Sequence, residues 1–414
     1  MASKYQAPRG TFDVLPADGR ARKRIEAAAA GVFTRAGYEP IATPAFEDTE
    51  LFERGVGRST DIVRKEMFTF EDKGGRSITL RPEGTAPICR AYLEHGMQKL
   101  AQPVKLCYAG PFFRHERPQA GRYRQFHQIG AEAIGTESPL ADAEAIMLLA
   151  DLLAELGVPG VELRLGSLGS SAARSSYLED LKEHLRAHED ELSKDVRERI
   201  EINPLRAFDA DDDGTRGVMA SAPTIVERLE GEDADHFAEV RALLEAAGVS
   251  YEIDATLVRG LDYYTRTIFS FVCDRLGAQS EVGGGGRYDG LIEQLGGPPT
   301  PAVGWAAGIE RILLALGESE DAQGRDVFLA VADPGQQRRA LALASELRHA
   351  GLTAEVDLAG RGLKGQLKHA DRIGARRALI LEADGSAQLR DMESGDQRAV
   401  DTAGLVEAIG GEGR

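Results

Sequence analysis

The segment from Val104 to Gly135 places the tightest limit on how this chain can fold. Two β-prone runs flank a polar tip, Arg117-Pro118-Gln119-Ala120-Gly121-Arg122, and read as a long antiparallel hairpin. Along the second run, residues 123–134 (YRQFHQIGAEAI), successive side chains point to opposite faces. The even-numbered Phe126, Gln128 and Glu132 therefore share one face. A ring, an amide and a carboxylate make a poor apolar core. That face lines either a polar pocket or a solvent-exposed edge.

The rest of the chain supplies partners for such a sheet. Residues 20–37 and 139–157 carry apolar residues at helical spacing and end at Gly37 and Gly157. Residues 171–253 are helix-rich and charged, and read as an inserted helical module. Strand and glycine signals return between Val258 and Gly290, and the spacing predicts a helix over 303–316. In that helix Gly304, Gly308 and Arg311 would share one face, opposite Trp305, Ile309, Ile312, Leu313 and Leu316. Beyond a boundary near 321–325 the pattern restarts. Short strands at Val327–Val331, Thr353–Val356 and Ala378–Leu381 alternate with helical stretches 336–350 and 362–374. That alternation predicts an α/β domain with a mostly parallel sheet. At 414 residues the chain has room for two or three domains, at roughly 100–200 residues each.

Composition narrows the function. The formal charge of −17 argues against indiscriminate nucleic-acid binding, so any RNA would need locally clustered cations. Cys89, Cys107 and Cys273 stand far apart, which suits a reduced, cytosolic compartment and argues against structural zinc or disulfides. The N-terminus lacks the apolar core of a secretory signal, and no apolar run approaches the length of a membrane span.

Nucleotide chemistry, if present, runs without the common glycine loops. The nearest approach to a Walker loop, Gly360 to Gly365, is followed by Gln366 where the lysine belongs. A stretch resembling a calcium loop, Asp209-Ala210-Asp211-Asp212-Asp213-Gly214, has Ala220 at its twelfth position instead of glutamate. It reads as a solvated acidic turn, and no residue is assigned as a metal ligand. Arginines in unusual settings remain: Arg114 after Gly110-Pro111-Phe112-Phe113, Arg259 opening RGLDYYT, and Arg311 closing GWAAGIER. Arg81-Pro82-Glu83-Gly84-Thr85 adds a carboxylate and a hydroxyl at a turn. The run Gly283–Gly286, between a β-prone and a helical stretch, fits close approach of backbone to a ligand.

Four of these segments together resemble the class II aminoacyl-tRNA synthetases, and within them the histidyl-tRNA synthetases. GPFFRHERPQAGRYRQFHQIGAE (110–132) is similar to the family's motif 2 and VGWAAGIERILLAL (303–316) to its motif 3. LVRGLDYYTRTIF (257–269) and GGGGRYDGL (283–291) resemble the histidine-specific segments, and motif 1 falls near 24–48 with Pro44. The resemblance spans nearly the whole chain. It implies an α+β fold: a six-stranded antiparallel catalytic sheet flanked by helices over 1–322, interrupted by the helical insertion. An α/β anticodon-binding domain over 323–414 and a homodimer are also implied.

The same resemblance implies substrates and roles. ATP with Mg2+ would activate L-histidine, and tRNA(His) would receive it. Arg114 and Arg259 are the implied catalytic residues. Arg114 would touch the α-phosphate and Arg311 the γ-phosphate, with Arg122 assisting and Phe126 stacking on adenine. Glu83, Gly84, Thr85 and Gln128 would hold the amino-acid ends. Glu132 and Tyr264 would bond the imidazole, with Tyr263 and Tyr288 lining the site. Arg117 and Gln119 would meet the acceptor end. The basic run Arg361, Lys364, Lys368, Arg372, Arg376 and Arg377 holds only Asp371 as an acid. Its first four members fall near one helical face and would meet RNA; the alternative is a solvated charged helix. Relatives that have lost the reaction share the fold but tend to lose reacting residues, whereas Arg114, Arg259, Arg311, Glu132 and Tyr264 are all present here.

Overall fold

A computed structural model describes residues 5–277, 280–317 and 324–410. The chain divides into two units, Met1–Ser319 and Glu320–Arg414. The boundary expected near 321–325 falls largely on residues 318–323, outside the described residues.

In the first unit a helix, Pro16–Arg35, leads into β1 (Glu39–Pro40). Then come β2 (Phe46–Asp48), β3 (Phe68–Glu71) and β4 (Ser77–Leu80), which form a small sheet in the order β2-β4-β3. The long hairpin follows as β5 (Val104–Phe113) and β6 (Gln125–Ile134). It is succeeded by β7 (Val161–Ser167), β8 (Glu252–Ile253), β9 (Thr265–Cys273), β10 (Glu281–Arg287) and β11 (Ala302–Gly308). These strands form one sheet in the order β1-β5-β6-β11-β10-β9-β7-β8. The six inner strands are antiparallel throughout. The two-residue β1 and β8 add parallel edges to the expected six.

Strand alternation then decides the layers. The odd residues of β6, Ile129, Ala131 and Ala133, join the main core beneath the Pro16–Arg35, Pro139–Glu155 and Ile309–Leu316 helices. The even face is left for the site. Ser138 caps the Pro139–Glu155 helix by accepting from Leu140 N, with proline in the first turn. One turn in, Asp142 is fully buried against the equally buried Arg287, whose Nη1 also donates to Thr136 O at 2.8 Å. This pair pins helix to sheet.

Two expectations need correction. Residues 303–316 are not one helix: β11 runs to Gly308, and the helix begins at Ile309. The apolar spacing that suggested one helix arises from a strand and a helix that both pack on the same core. Gly304 and Arg311 therefore share no helical face. The insertion also ends earlier than expected. The Ser171–Ala187 helix and the short elements after it bury their own core around Tyr177, Leu181, Leu185 and Val218. The Gly231–Ala246 helix instead sends Phe237, Val240 and Leu244 into the main core.

The second unit contains β12 (Arg325–Val331), β13 (Ala354–Val356), β14 (Ala375–Leu381), β15 (Ala387–Asp391) and β16 (Gln397–Val400). Their order is β13-β12-β14-β15-β16, parallel over the first three and antiparallel thereafter. Val327, Leu329, Leu379 and Leu381 face the Gln337–His349 helix. Phe328, Ala330 and Ile380 face the Leu363–Arg372 helix on the other side. Gln366 holds that helix in place, accepting from Val331 N at 2.8 Å and donating to Arg361 O at 2.7 Å. The residue that replaces a Walker lysine is thus a buried structural amide.

Candidate active site

The even face of β6 meets a cavity of about 580 Å3, lined at one end by Glu83, Thr85 and Tyr264 and at the other by Arg114, Arg122 and Arg311. Gly84, Gln128, Arg259 and Tyr263 also reach it. Phe126 lies in an adjoining recess with Arg114 and Arg311. The pairing of Phe112 with Phe126, Gly110 with Gln128 and Leu106 with Glu132 sets these side chains along one line.

At the cationic end, Arg114 leaves β5 and donates Nε to Pro82 O at 2.9 Å, its guanidinium 5.4 Å from the Phe126 ring centre. Arg122, at the hairpin tip, stands 3.1 Å from a Glu116 carboxylate oxygen. Arg311 comes from the first turn of the Ile309–Leu316 helix and donates Nη1 to the main-chain oxygen of Glu281 at 2.7 Å. Burial lowers the Arg311 pKa from its ordinary value, and the neighbouring Arg122 and Arg114 add to that. Arg259 pairs with the Glu281 carboxylate, which also accepts from Ser270 Oγ at 2.9 Å. Burial opposes charge on Arg259, yet Glu281 and Tyr264 raise its pKa above the usual value.

At the other end, Glu83 sits ahead of the Thr85–Glu94 helix and accepts from Thr85 N at 2.7 Å and Ala86 N at 2.9 Å. The positive end of that helix supports the carboxylate, although burial still raises its pKa. Glu132 and Tyr288 differ from expectation, because both are fully buried behind the cavity wall. Glu132 accepts from Thr85 Oγ1 at 2.9 Å and from Tyr288 Oη at 2.6 Å. Burial pushes its pKa up to about 8, against the pull of those two donors. Gln128 Oε1 is buried and has no hydrogen-bond partner among the described residues.

The glycine run forms β10 and explains the close approach. A Cβ on Gly284 would lie 2.9 Å from Arg259 Nη1, and one on Gly286 would lie 3.0 Å from Tyr264 Cδ1. These glycines seat the two side chains against the sheet. The strand's other contribution, Glu281, was missed by sequence reasoning. The available signal was a carboxylate two residues ahead of a glycine strand in an arginine-rich site. Glu116, two residues after Arg114 and paired with Arg122, was missed as well.

The RNA candidates divide. Arg117 and Gln119 are exposed at the tip, which Gln119 and Arg122 close with mutual main-chain bonds. Lys364, Lys368 and Arg372 are exposed on the Leu363–Arg372 helix. Arg361 precedes that helix and pairs with Asp357, so it does not belong to a helical face. Arg376 stands 3.6 Å from Asp326, and Arg377 donates to Ile409 O. Among the described residues no group of three histidine, cysteine or acidic side chains could hold a metal ion. Nor is any described helix long and apolar enough to cross a membrane.

Comparison with known proteins fits this geometry. Residues 10–312 match the family model "Histidyl-tRNA synthetase", and residues 326–412 match "Anticodon binding domain". A histidine–tRNA ligase from Rubrobacter xylanophilus is 47% identical over 98% of this chain and 100% of its own. The solved structure of apo S. aureus histidyl-tRNA synthetase superposes with a TM-score of 0.82 at 37% identity, covering 98% of this chain and 99% of that one. A Bacillus halodurans structure described as an ATP phosphoribosyltransferase regulatory subunit/histidyl-tRNA synthetase shares the fold alone. It is 23% identical with a TM-score of 0.68, over 92% of this chain and 100% of that one. On the extent of the family match and the identity to full-length relatives, the chain belongs to the histidyl-tRNA synthetase family.

Proposed function

We propose that the protein is a histidine–tRNA ligase, which activates L-histidine with ATP to histidyl-adenylate and then transfers histidine to the 3′ end of tRNA(His). The observation that carries this reading is the convergence of Arg114, Arg259 and Arg311 on one cavity whose far end holds Glu83, Thr85 and Tyr264. Phosphate charge belongs at the first end and an amino acid at the second.

The chemistry needs little more than position. Histidine's carboxylate, with a pKa of roughly 3.5, is ionised at neutral pH and attacks the α-phosphorus without a general base. Pyrophosphate leaves. Arg114 orients the α-phosphate, Arg311 the γ-phosphate, and Arg122 stands ready beside them. Phe126 offers its ring to adenine. Arg259 lies between the attacking carboxylate and the α-phosphate and offsets charge as the bond forms. Magnesium, when bound, comes with ATP and neutralises its phosphates. This chain's own contribution at that end is its guanidinium groups.

Glu83, Thr85 and Gln128 take the amino and carboxylate ends of histidine, and Tyr264 and Glu132 take the imidazole nitrogens. Thr85 donates to one Glu132 oxygen and Tyr288 to the other, so an ionised Glu132 keeps an acceptor site on each oxygen for an imidazole N–H. A polar pocket of this kind rejects analogues lacking the ring nitrogens by roughly 10⁴–10⁵. The exposed tip residues Arg117 and Gln119 suit the acceptor end of tRNA. Lys364, Lys368 and Arg372 suit its anticodon arm.

A homodimer and a cytoplasmic setting complete the reading. The outer face of the β2-β4-β3 sheet supports the dimer: Phe46 (52% exposed) and Phe70 (46% exposed) lie on the same face as Phe68, Ile78 and Leu80. Such an apolar sheet face calls for a cover.

Exchange of labelled pyrophosphate into ATP, without tRNA, tests the proposal. Exchange should require histidine and be weak with the other amino acids. Folded protein that gives no histidine-dependent exchange would instead fit a regulatory relative that keeps the fold without the reaction.

A further inference from the structure

The turn carrying Tyr263 and Tyr264 is held by the helical insertion, through contacts the chemistry above does not use. Arg174, in the first turn of the Ser171–Ala187 helix, donates Nη1 to two main-chain oxygens, Asp262 O at 2.8 Å and Tyr264 O at 3.1 Å. Those carbonyls bracket the Tyr263 peptide, so the guanidinium fixes the orientation of the turn itself.

Two residues later the backbone is strained. Arg266 has φ of +47°, the one positive value on a non-glycine residue among the described residues. An L residue keeps that conformation only with outside support. The support comes from the two segments that flank the insertion. Arg266 N donates to Gly169 O at 2.7 Å, and Leu168 N donates to Arg266 O at 2.7 Å. Arg266 Nε meets Asp233, in the first turn of the Gly231–Ala246 helix, at 3.2 Å. Asp233 in turn accepts from Ser170 N at 2.9 Å. At the same place the β9–β10 register slips: Gly286 pairs with Ile268, but Arg287 pairs with Thr265. Such a bulge re-aims the chain beside it, and here it delivers Tyr264 onto Gly286.

A second grip lies across the turn. Arg199 and Arg206 of the insertion each stand 3.4 Å from Asp61, and Ser59 of the same loop bonds the Asp262 carboxylate.

We propose that Arg174 is a positioning residue for histidine, through which the insertion sets the placement of Tyr263 and Tyr264. It touches no substrate. It acts by holding two carbonyls whose peptide planes determine where both rings stand. This rests on the reading of the Tyr263–Tyr264 turn as part of the histidine pocket.

The test is histidine binding by calorimetry together with pyrophosphate exchange, for wild type, Arg174→Ala, Arg174→Lys and Glu132→Gln. Arg174→Ala removes a charged donor serving two acceptors and should weaken histidine binding by about tenfold or more. The KM for ATP should stay within about twofold, because uniform damage would move both substrates. Arg174→Lys keeps the charge and should recover part of the loss. A role in folding alone would lower the melting temperature and leave histidine affinity unchanged, and that result would overturn the proposal. If Arg174→Ala does not fold, Arg174→Lys carries the same test, with a selective rise in the histidine KM expected and an unchanged KM decisive against. Glu132→Gln separates the two layers. Normal histidine binding by that variant means the pocket reading has failed. Its loss, alongside normal binding by both Arg174 variants, means only the coupling has failed.

Discussion

Glu132 combines full burial with two hydroxyl donors and, among the described residues, no cation paired with it. Burial outweighs the donors and pushes its pKa up to about 8, so the substrate-free protein holds a proton there at neutral pH. The unfolded chain releases that proton near the ordinary carboxylate value of about 4.3. Between those two values the folded state binds more protons than the unfolded state. Stability from this group therefore falls as pH rises toward 8 and is highest at acidic pH. Glu132→Gln removes the titration while keeping the shape. The variant should melt on the order of a few degrees above wild type at pH 8 and lose that advantage at pH 5. Thermal melts at the two pH values check this, and an equal shift at both would mean the carboxylate is already ionised in the folded state. The same variant should lose histidine-dependent exchange, trading function for stability at one atom.

At the scale of elements, the hairpin was legible because alternation is a local property. Phe126, Gln128 and Glu132 share a face in any regular strand, and they do so in β6. The 303–316 segment misled because Trp305, Ile309 and Ile312 all reach one core, from a strand and then a helix. Short apolar runs do not reveal their period when the core surrounds them. Glu281 stayed hidden for a different reason: its partner Arg259 arrives from 22 residues away in sequence, across a turn that no spacing rule describes. The corrected geometry gives Gly304 a new role. It stands directly opposite Glu132 on the neighbouring strand, and a Cβ there would collide with the Glu132 carboxylate and lie 2.6 Å from Ala131 O. Gly304→Ala must therefore push Glu132 off Thr85 and Tyr288. It should cost about 1–3 kcal/mol of stability and most of the histidine-dependent exchange. Gly217→Ala, in a helix with nothing within 4 Å of the new methyl group, should be neutral or slightly stabilising. Denaturant unfolding of the pair checks this, and equal stability of the two variants would remove the steric argument.

For the whole molecule, the charge is the feature that composition reported and the fold had to reconcile. A net charge of −17 repels RNA at a distance, so binding must depend on a few local cations and be strongly selective in where it occurs. The sequence grouped six basic residues between 361 and 377, but the structure withdraws half of them from that role. Arg361 is engaged by Asp357, Arg376 faces Asp326, and Arg377 is spent on the main chain at Ala408 and Ile409. Lys364, Lys368 and Arg372 remain exposed along one helix whose opposite side packs Ala370 on the sheet. If these three meet phosphates, replacing all of them with alanine should weaken tRNA binding. It should also flatten the plot of log affinity against log salt by roughly two units, at about 0.7–0.9 per lost phosphate contact. Replacing Arg361 and Arg376 instead should change that slope much less, since each already has a carboxylate close by. Filter-binding titrations across a range of salt concentrations measure both slopes. A slope unchanged by the triple substitution would take the Leu363–Arg372 helix out of the RNA interface.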